Sequence, residues 1–220
     1  MKKTTQLTSL MSAMLVAGSI SMAPTVAQAG ISANIGAVTQ YIFRGTSQGD
    51  GAAAQGGIDY EHDSGLYAGV WGSSMNSDTK PGFEYDLYAG WSGSFSQVDL
   101  GIGYTSYNYG GKAGGFADYK EVNLSAGYKF LSINYDIGTD STGTPDKDYK
   151  HYAISAEYNN FSATYGATKY DASGSDTLDY MSLGYSHELA KGLDGNIELI
   201  NSGKHNDNTV YMVLGLTKSF

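Results

Sequence analysis

The feature that most constrains this chain is a period of two in its apolar residues. Over residues 83–91, Phe83, Tyr85, Leu87, Ala89 and Trp91 share one side of an extended backbone, and Glu84, Asp86, Tyr88 and Gly90 share the other. Val98, Leu100, Ile102 and Tyr104 alternate in the same way with Asp99, Gly101, Gly103 and Thr105. Val122, Leu124, Ala126, Tyr128 and Phe130 do so with Glu121, Asn123, Ser125, Gly127 and Lys129, and segments 131–138, 151–158 and 161–168 repeat the pattern. A strand turns successive side chains to opposite faces, whereas an amphipathic helix returns to one face about every 3.6 residues. Acidic residues at alternate positions forbid burying both faces in apolar surroundings. Each strand therefore separates two solvents.

Composition decides which two. Charged residues are 16% of the chain, against about 25% in soluble domains. Gly supplies 30 positions and Tyr 19, more than Phe and Trp together. No apolar run reaches the roughly 18 residues of a membrane helix. The sequence has no Cys, which excludes disulfides, thiolate metal sites and a lipidated N-terminus. A formal net charge of −9 disfavours nucleic acid, whose phosphates are bound by Lys and Arg. Lys2 and Lys3, the apolar stretch around residues 11–20 and Ala27-Gln28-Ala29 before Gly30 have the layout of a cleaved secretory signal. The expected organisation is a leader over residues 1–29 and one β-barrel domain over residues 30–220.

The connections carry independent information. Residues 62–65, 92–96, 129–132, 159–160 and 190–194 read as tight turns, and residues 45–52, 76–82, 110–117, 140–147, 171–176 and 202–208 as longer loops rich in Gly, Asp, Ser and Lys. Together they join about twelve strands, the weaker ones spanning 31–44, 53–62, 66–75, 178–187, 195–201 and 209–220; ten strands result if two weak segments are loops. Alternating short and long connections with an even strand count is the rule of bacterial outer-membrane barrels, whose short turns are periplasmic. A soluble β-sandwich also alternates, but it explains neither this sequence of connections nor an outward face rich in Tyr. The fold class expected is all-β, a closed antiparallel transmembrane barrel in contact with outer-membrane lipids.

The last segment places Val210, Met212, Leu214, Leu216 and Phe220 on one face. Gly215 and Phe220 fit the C-terminal signal read by the barrel assembly machinery, a Gly followed by hydrophobic residues at the third and fifth positions; Lys218 departs from it.

The run Tyr41-Ile42-Phe43-Arg44-Gly45-Thr46-Ser47-Gln48, followed by Gln55-Gly56-Gly57-Ile58-Asp59-Tyr60 and by residues 64–73, resembles the TorF family of porins. The resemblance implies an outer-membrane barrel with pore activity. It names no solute.

With the apolar faces in lipid, the opposite faces define a lumen. Asp59, Glu61, Glu84, Asp86, Asp99, Glu121, Asp136, Glu157 and Glu198 point into it, against Arg44 and Lys129. An acidic, water-filled lumen favours cations, so the expected function is passive diffusion of small polar solutes with cation preference. The same carboxylates are equally compatible with an interior plugged by side chains. Arg44, the only arginine, is expected at the outer end of the first strand. There it either faces Glu84, Asp86 or Glu121 across the lumen or forms a salt bridge at the barrel seam. Tyr41, Phe43, Tyr85, Trp91, Tyr104, Tyr128, Phe130, Tyr158 and Phe161 are expected in interfacial girdles, and Tyr67, Trp71 and Tyr88 inside. No catalytic group, cofactor or metal site is expected. His151 and Ser155 share a face, but four residues of strand separate them by about 13 Å, too far for a base to activate a hydroxyl. A structural or adhesive barrel and a surface hydrolase are the rival classes.

Overall fold

The computed structural model describes residues 30–75, 82–110, 117–171, 174–204 and 208–220. The first half of the wall comprises β1 (Gly30–Val38), β4 (Ala53–Glu61), β5 (Leu66–Met75), β6 (Gly82–Phe95), β7 (Val98–Gly110) and β8 (Tyr119–Tyr128). The second comprises β9 (Leu131–Asp140), β10 (Lys147–Tyr158), β11 (Phe161–Tyr170), β12 (Thr177–Ala190), β13 (Leu193–Asn201) and β14 (Val210–Ser219). Two short strands, β2 (Ile42–Phe43) and β3 (Thr46–Ser47), stand apart as a hairpin. The wall strands pair antiparallel with their sequence neighbours, and β1 pairs with both β4 and β14, so twelve strands close into a barrel. The leader read over residues 1–29 lies outside the described residues.

Burial is inverted relative to a water-soluble domain. Ile133 is 53% exposed, whereas Glu121 one strand away is 1% exposed. The inversion follows from the alternation: pairing in register carries the apolar side of every strand to the outer surface and the polar side to the interior. Leu, Ile and Val form the outward band, and Phe95, Tyr128, Phe130, Tyr158 and Phe161 edge it beside the tight turns. The strands extend past the alternating segments; β6 and β7 pair from Phe95↔Val98 to Phe83↔Gly110. The tight turns at Ser96-Gln97, Lys129-Phe130 and Lys191-Gly192 are accordingly shorter than expected, and Asn159-Asn160 and residues 62–65 connect strands as read. Ser96, Lys129, Asn159 and Gly192 adopt positive φ there, which closes two-residue hairpins. Lys129 thus sits exposed in a turn, 5.0 Å from the Tyr128 ring, and is not the inward cation its parity suggested.

The abundance of Gly and Tyr has a packing cause. Tyr149 on β10 lies over Gly138 on β9, and Tyr180 on β12 over Gly166 on β11; a Cβ at either glycine would meet the ring. Large inward rings thus fit without filling the barrel, each covering the bare backbone of a neighbouring strand. Gly138→Val is expected to displace Tyr149 and lower stability by about 1–3 kcal/mol, read as a lower urea midpoint of detergent-folded protein. An unchanged midpoint would show that the ring moves freely.

At the last strand, the Phe220 amide donates to the Ala33 carbonyl at 2.9 Å. Lys218 extends its ammonium to the Lys191 carbonyl at 2.7 Å, beside the turn. Its long stem removes the charge from the apolar band.

Candidate functional site

The first wall strand stops at Val38, six residues before its expected end at Arg44. Thr39 makes the last contacts with β14, its amide donating to the Leu214 carbonyl and its hydroxyl accepting from the Leu214 amide. The chain then turns into the lumen. β2 and β3 pair as Ile42↔Ser47 and Phe43↔Thr46, leaving Arg44-Gly45 as a two-residue turn with φ of 50° and 77°. Positive φ at both positions is the hairpin geometry that matches strand twist. Gly45 is also required by space, since a Cβ there would lie 2.6 Å from Cβ of Tyr180.

Apolar contacts fix the hairpin to one side of the barrel. Tyr41 and Ile42 are buried with Val38, Ala53, Ile200 and Val213, and Trp71, Met75 and Tyr211 pack around them. Tyr41 and Trp71 meet edge to face at 5.6 Å. Tyr41 and Phe43 therefore belong to an internal core and not to a lipid girdle. Their odd-numbered phase continues that of Ile31 and Ile35, and alternation cannot distinguish a side chain facing lipid from one facing packed protein. The signal that marks the departure is the two-residue Arg44-Gly45 step between two short apolar-polar pairs.

From the tip, Arg44 reaches the opposite wall. In the ring of strands β9 stands diametrically across from β1, and the guanidinium bonds to Asp136 on β9 (Nη2 to Oδ2, 2.8 Å) and to Glu121 on adjacent β8. The contact with Glu121 is a two-point fork, Nη1 to Oε1 at 2.5 Å and Nη2 to Oε2 at 3.1 Å. Tyr107 and Tyr149 also donate to Glu121, at 2.9 and 2.8 Å. Asn123 donates to both carboxylates, at 3.1 Å to Glu121 and 3.0 Å to Asp136. A buried ion pair is retained only when its remaining lone pairs are satisfied, and the tyrosines and Asn123 accomplish that here. Of the two arrangements open for Arg44, the structure has the one across the lumen and not the seam.

Glu84 and Asp86, on β6, lie near this cluster but do not bind Arg44. Tyr109 donates to Glu84 Oε1 at 3.0 Å. Glu84 Oε2, Asp86 Oδ1, Glu198 Oε2 and Trp71 Nε1 are buried without a hydrogen-bond partner among the described residues. Glu84, Asp86, Glu121, Asp136, Asp140 and Glu198 are all buried, with Arg44 among them. Formally, this half of the lumen is strongly negative.

The other predicted lumen residues sit towards the tight-turn end. Asp59 accepts from Tyr88, Asp99 accepts from Ser94 at 2.6 Å, and Glu157 is exposed. This half is lined by small side chains such as Ser125, Ser132, Asn134, Ser155, Ser162 and Thr164, which point inward yet are only half-buried. The interior is thus hollow here and constricted at the hairpin. On the loop side of Arg44 is a cavity of about 210 Å³, lined by Phe43, Arg44 and the tyrosines 107, 109, 119, 149 and 170. His151 is buried against the Thr168 hydroxyl at 2.8 Å, and Ser155 pairs with Thr164 at 2.9 Å. Among the described residues no group of three or more His, Asp or Glu is placed to hold a metal ion.

The KdgM porin shares this fold with a TM-score of 0.56 at 12% identity, over 86% of this chain and 99% of that one. A second structure, the KdgM porin in complex with disordered oligogalacturonate, has a TM-score of 0.53 with the same identity and coverage. A mutant of the Rh. blastica porin aligns with a TM-score of 0.44 at 15% identity, over 88% of this chain and 75% of that one. No curated protein matches the sequence. A family model described as a bacterial protein of unknown function matches residues 23–215.

Proposed function

The chain belongs to that family, Gcw_chp, and from this premise and the barrel geometry we propose that it is an outer-membrane porin-type channel admitting small polar solutes and preferring cations. The observation that carries the proposal is the hollow half of the lumen. Inward Asn134, Ser155 and Thr164 remain half-exposed inside a closed wall, whereas a barrel serving only as a structural plug would bury them against one another. Among the described residues the hairpin makes a constricted level at Arg44, where the guanidinium and the carboxylates of the facing wall set up a field across the path.

Charge supports the selectivity. Six buried carboxylates outnumber the guanidinium, and that guanidinium is already engaged by two of them. A polyanion entering the lumen finds no unengaged arginine, so the acidic sugar named with the KdgM porin is not the solute proposed here. In this reading Asp59, Asp99 and Glu157 line the wide tight-turn vestibule, Glu84, Asp86, Glu121, Asp136 and Glu198 line the narrow level, and residues 1–29 are the export leader. The motifs in residues 41–73 resemble those of the TorF porins, which supports this reading.

Reconstitution in planar bilayers tests the proposal. Stepwise conductance is expected, with a reversal potential in a KCl gradient of the sign that marks K⁺ as more permeant than Cl⁻. Glu84→Gln with Asp86→Asn should move that potential towards zero. Silence from a sample with a heat-modifiable gel shift would instead identify a non-conducting barrel.

A further inference from the structure

Three lysines interrupt the outward face of the wall on its loop side. Lys120 on β8, Lys150 on β10 and Lys169 on β11 share strand faces with the lipid-facing Val122, Tyr152 and Tyr165, and all three are exposed. Among the described residues no other wall strand carries a lysine or arginine on this part of the outer surface. Lys150 and Lys169 are direct partners across β10 and β11, and like charges placed opposite one another cost stability. Lys150 is drawn aside to Asp171 at 3.1 Å, with both side chains about half exposed. Lys120 and Lys169 pair with no carboxylate among the described residues; Asp179, diagonal to Lys169 across β12, lies beyond ion-pair distance. Asp148 accepts from the Thr139 hydroxyl at 2.8 Å. Asp148 and Asp171 each lie two residues farther from the apolar band than the lysine of their own strand. One outward position nearer that band, Tyr135 and Tyr152 face each other as exposed partners.

We propose that this face binds the phosphorylated head group of an outer-leaflet glycolipid, a disaccharide carrying two phosphates. The longer loops of such barrels are extracellular, so the lysines stand at the outer boundary of the apolar band, the level of lipid phosphates. Adjacent strands are about 4.8 Å apart, which separates Lys150 from Lys169 by one spacing. Lys120 pairs with Thr139 and Lys150 with Ile137, so Lys120 lies two spacings and a two-residue offset from Lys150, roughly 10–12 Å. A phosphate between Lys150 and Lys169 relieves their repulsion through charge-assisted hydrogen bonds. A second phosphate on the same rigid sugar reaches Lys120. A phospholipid with a single phosphate satisfies one end only. Tyr135 and Tyr152 offer phenols to the sugar, and the exposed Leu124, Ile133 and Ile154 offer an apolar bed to its acyl chains. The inference rests on the outer-membrane placement of the barrel and not on conduction.

The test is native mass spectrometry of the detergent-folded protein offered diphosphoryl lipid A, monophosphoryl lipid A, phosphatidylglycerol and phosphatidylcholine at equal concentration. Diphosphoryl lipid A is expected to be retained roughly tenfold over phosphatidylcholine and several-fold over the monophosphoryl form and phosphatidylglycerol. Lys150→Gln with Lys169→Gln should lower that retention roughly tenfold. Lys129→Gln with Lys191→Gln, an equal loss of charge at the tight turns, should leave it unchanged. Phosphatidylglycerol retained as well as lipid A would reduce the face to a general attraction for anionic lipid and overturn the proposal. Equal losses in the two double variants, or no lipid A on protein that shows the folded gel shift, would overturn it too. The lipid series on the unaltered chain decides even if a variant fails to fold. Lipid A binding with silent bilayers would sustain the site and remove the channel; conductance without preference for lipid A would do the reverse.

Discussion

Arg44→Ala is expected to lower the stability of the folded barrel by about 3–5 kcal/mol and to raise its single-channel conductance. The stability loss follows from what is left behind. Glu121 and Asp136 would remain buried at 1% and 6% exposure, facing each other's charge without the guanidinium that offsets it, and an uncompensated buried ion costs about that much. Arg44→Lys should recover only part of the loss, because an ammonium cannot reproduce the fork to Glu121. The triple variant Arg44→Met, Glu121→Gln, Asp136→Asn should restore most of the stability, since it removes the charges together. It should not restore the conductance, because the tie between hairpin and far wall stays broken. Urea unfolding in detergent supplies the first number and bilayer recording the second. Unchanged stability in Arg44→Ala would mean that water reaches the two carboxylates freely.

Replacing residues 41–48 by a short Gly-Ser connection is expected to increase conductance several-fold while the protein still folds. Among the described residues the hairpin is the segment that narrows the lumen; its removal leaves the width set by twelve strands. The wall does not need it, since the β1 pairings with β4 and β14 involve residues 30–38 and their partners. Tyr41 and Ile42 are among the most buried apolar residues, so stability is lost, of order 1.5–3 kcal/mol per side chain; Glu121 and Asp136 lose Arg44 as well, but the opened lumen lets water reach them, so that loss is smaller than in Arg44→Ala. The backbone ladder of the barrel remains intact, and the heat-modifiable gel shift should persist. Conductance equal to that of the unaltered chain would place permeation elsewhere and refute the hairpin as the constriction.

Much of the wall was legible in the sequence because the information is local. Phe83 to Trp91 alternates by itself, and no distant residue is needed to know that Glu84 and Leu87 face different solvents. The strand count was equally local, read from turns such as Asn159-Asn160 and loops such as residues 140–147. Where expectation and structure part, the cause is a missing long-range contact. Tyr41 and Phe43 read as lipid-facing because their phase is right, but Trp71, Ile200 and Tyr107 offer them an internal surface. Lys129 read as inward by parity, but the two-residue turn places it outside the ladder.

The carboxylate on β8 that Arg44 engages was among three anticipated for it; the one on β9 was not, and neither were the tyrosines that complete the cluster. Tyr107 and Tyr149 had the correct parity, yet parity says inward without saying towards what. The sequence by itself determined a closed, two-faced sheet, since a period of two with acidic residues on one side has few other stable solutions. Only the tertiary structure decided that the β2–β3 hairpin turns inside and that Arg44 spans to β9. Contacts across a lumen depend on closure and on the stagger of all the strands together, and no single strand encodes them.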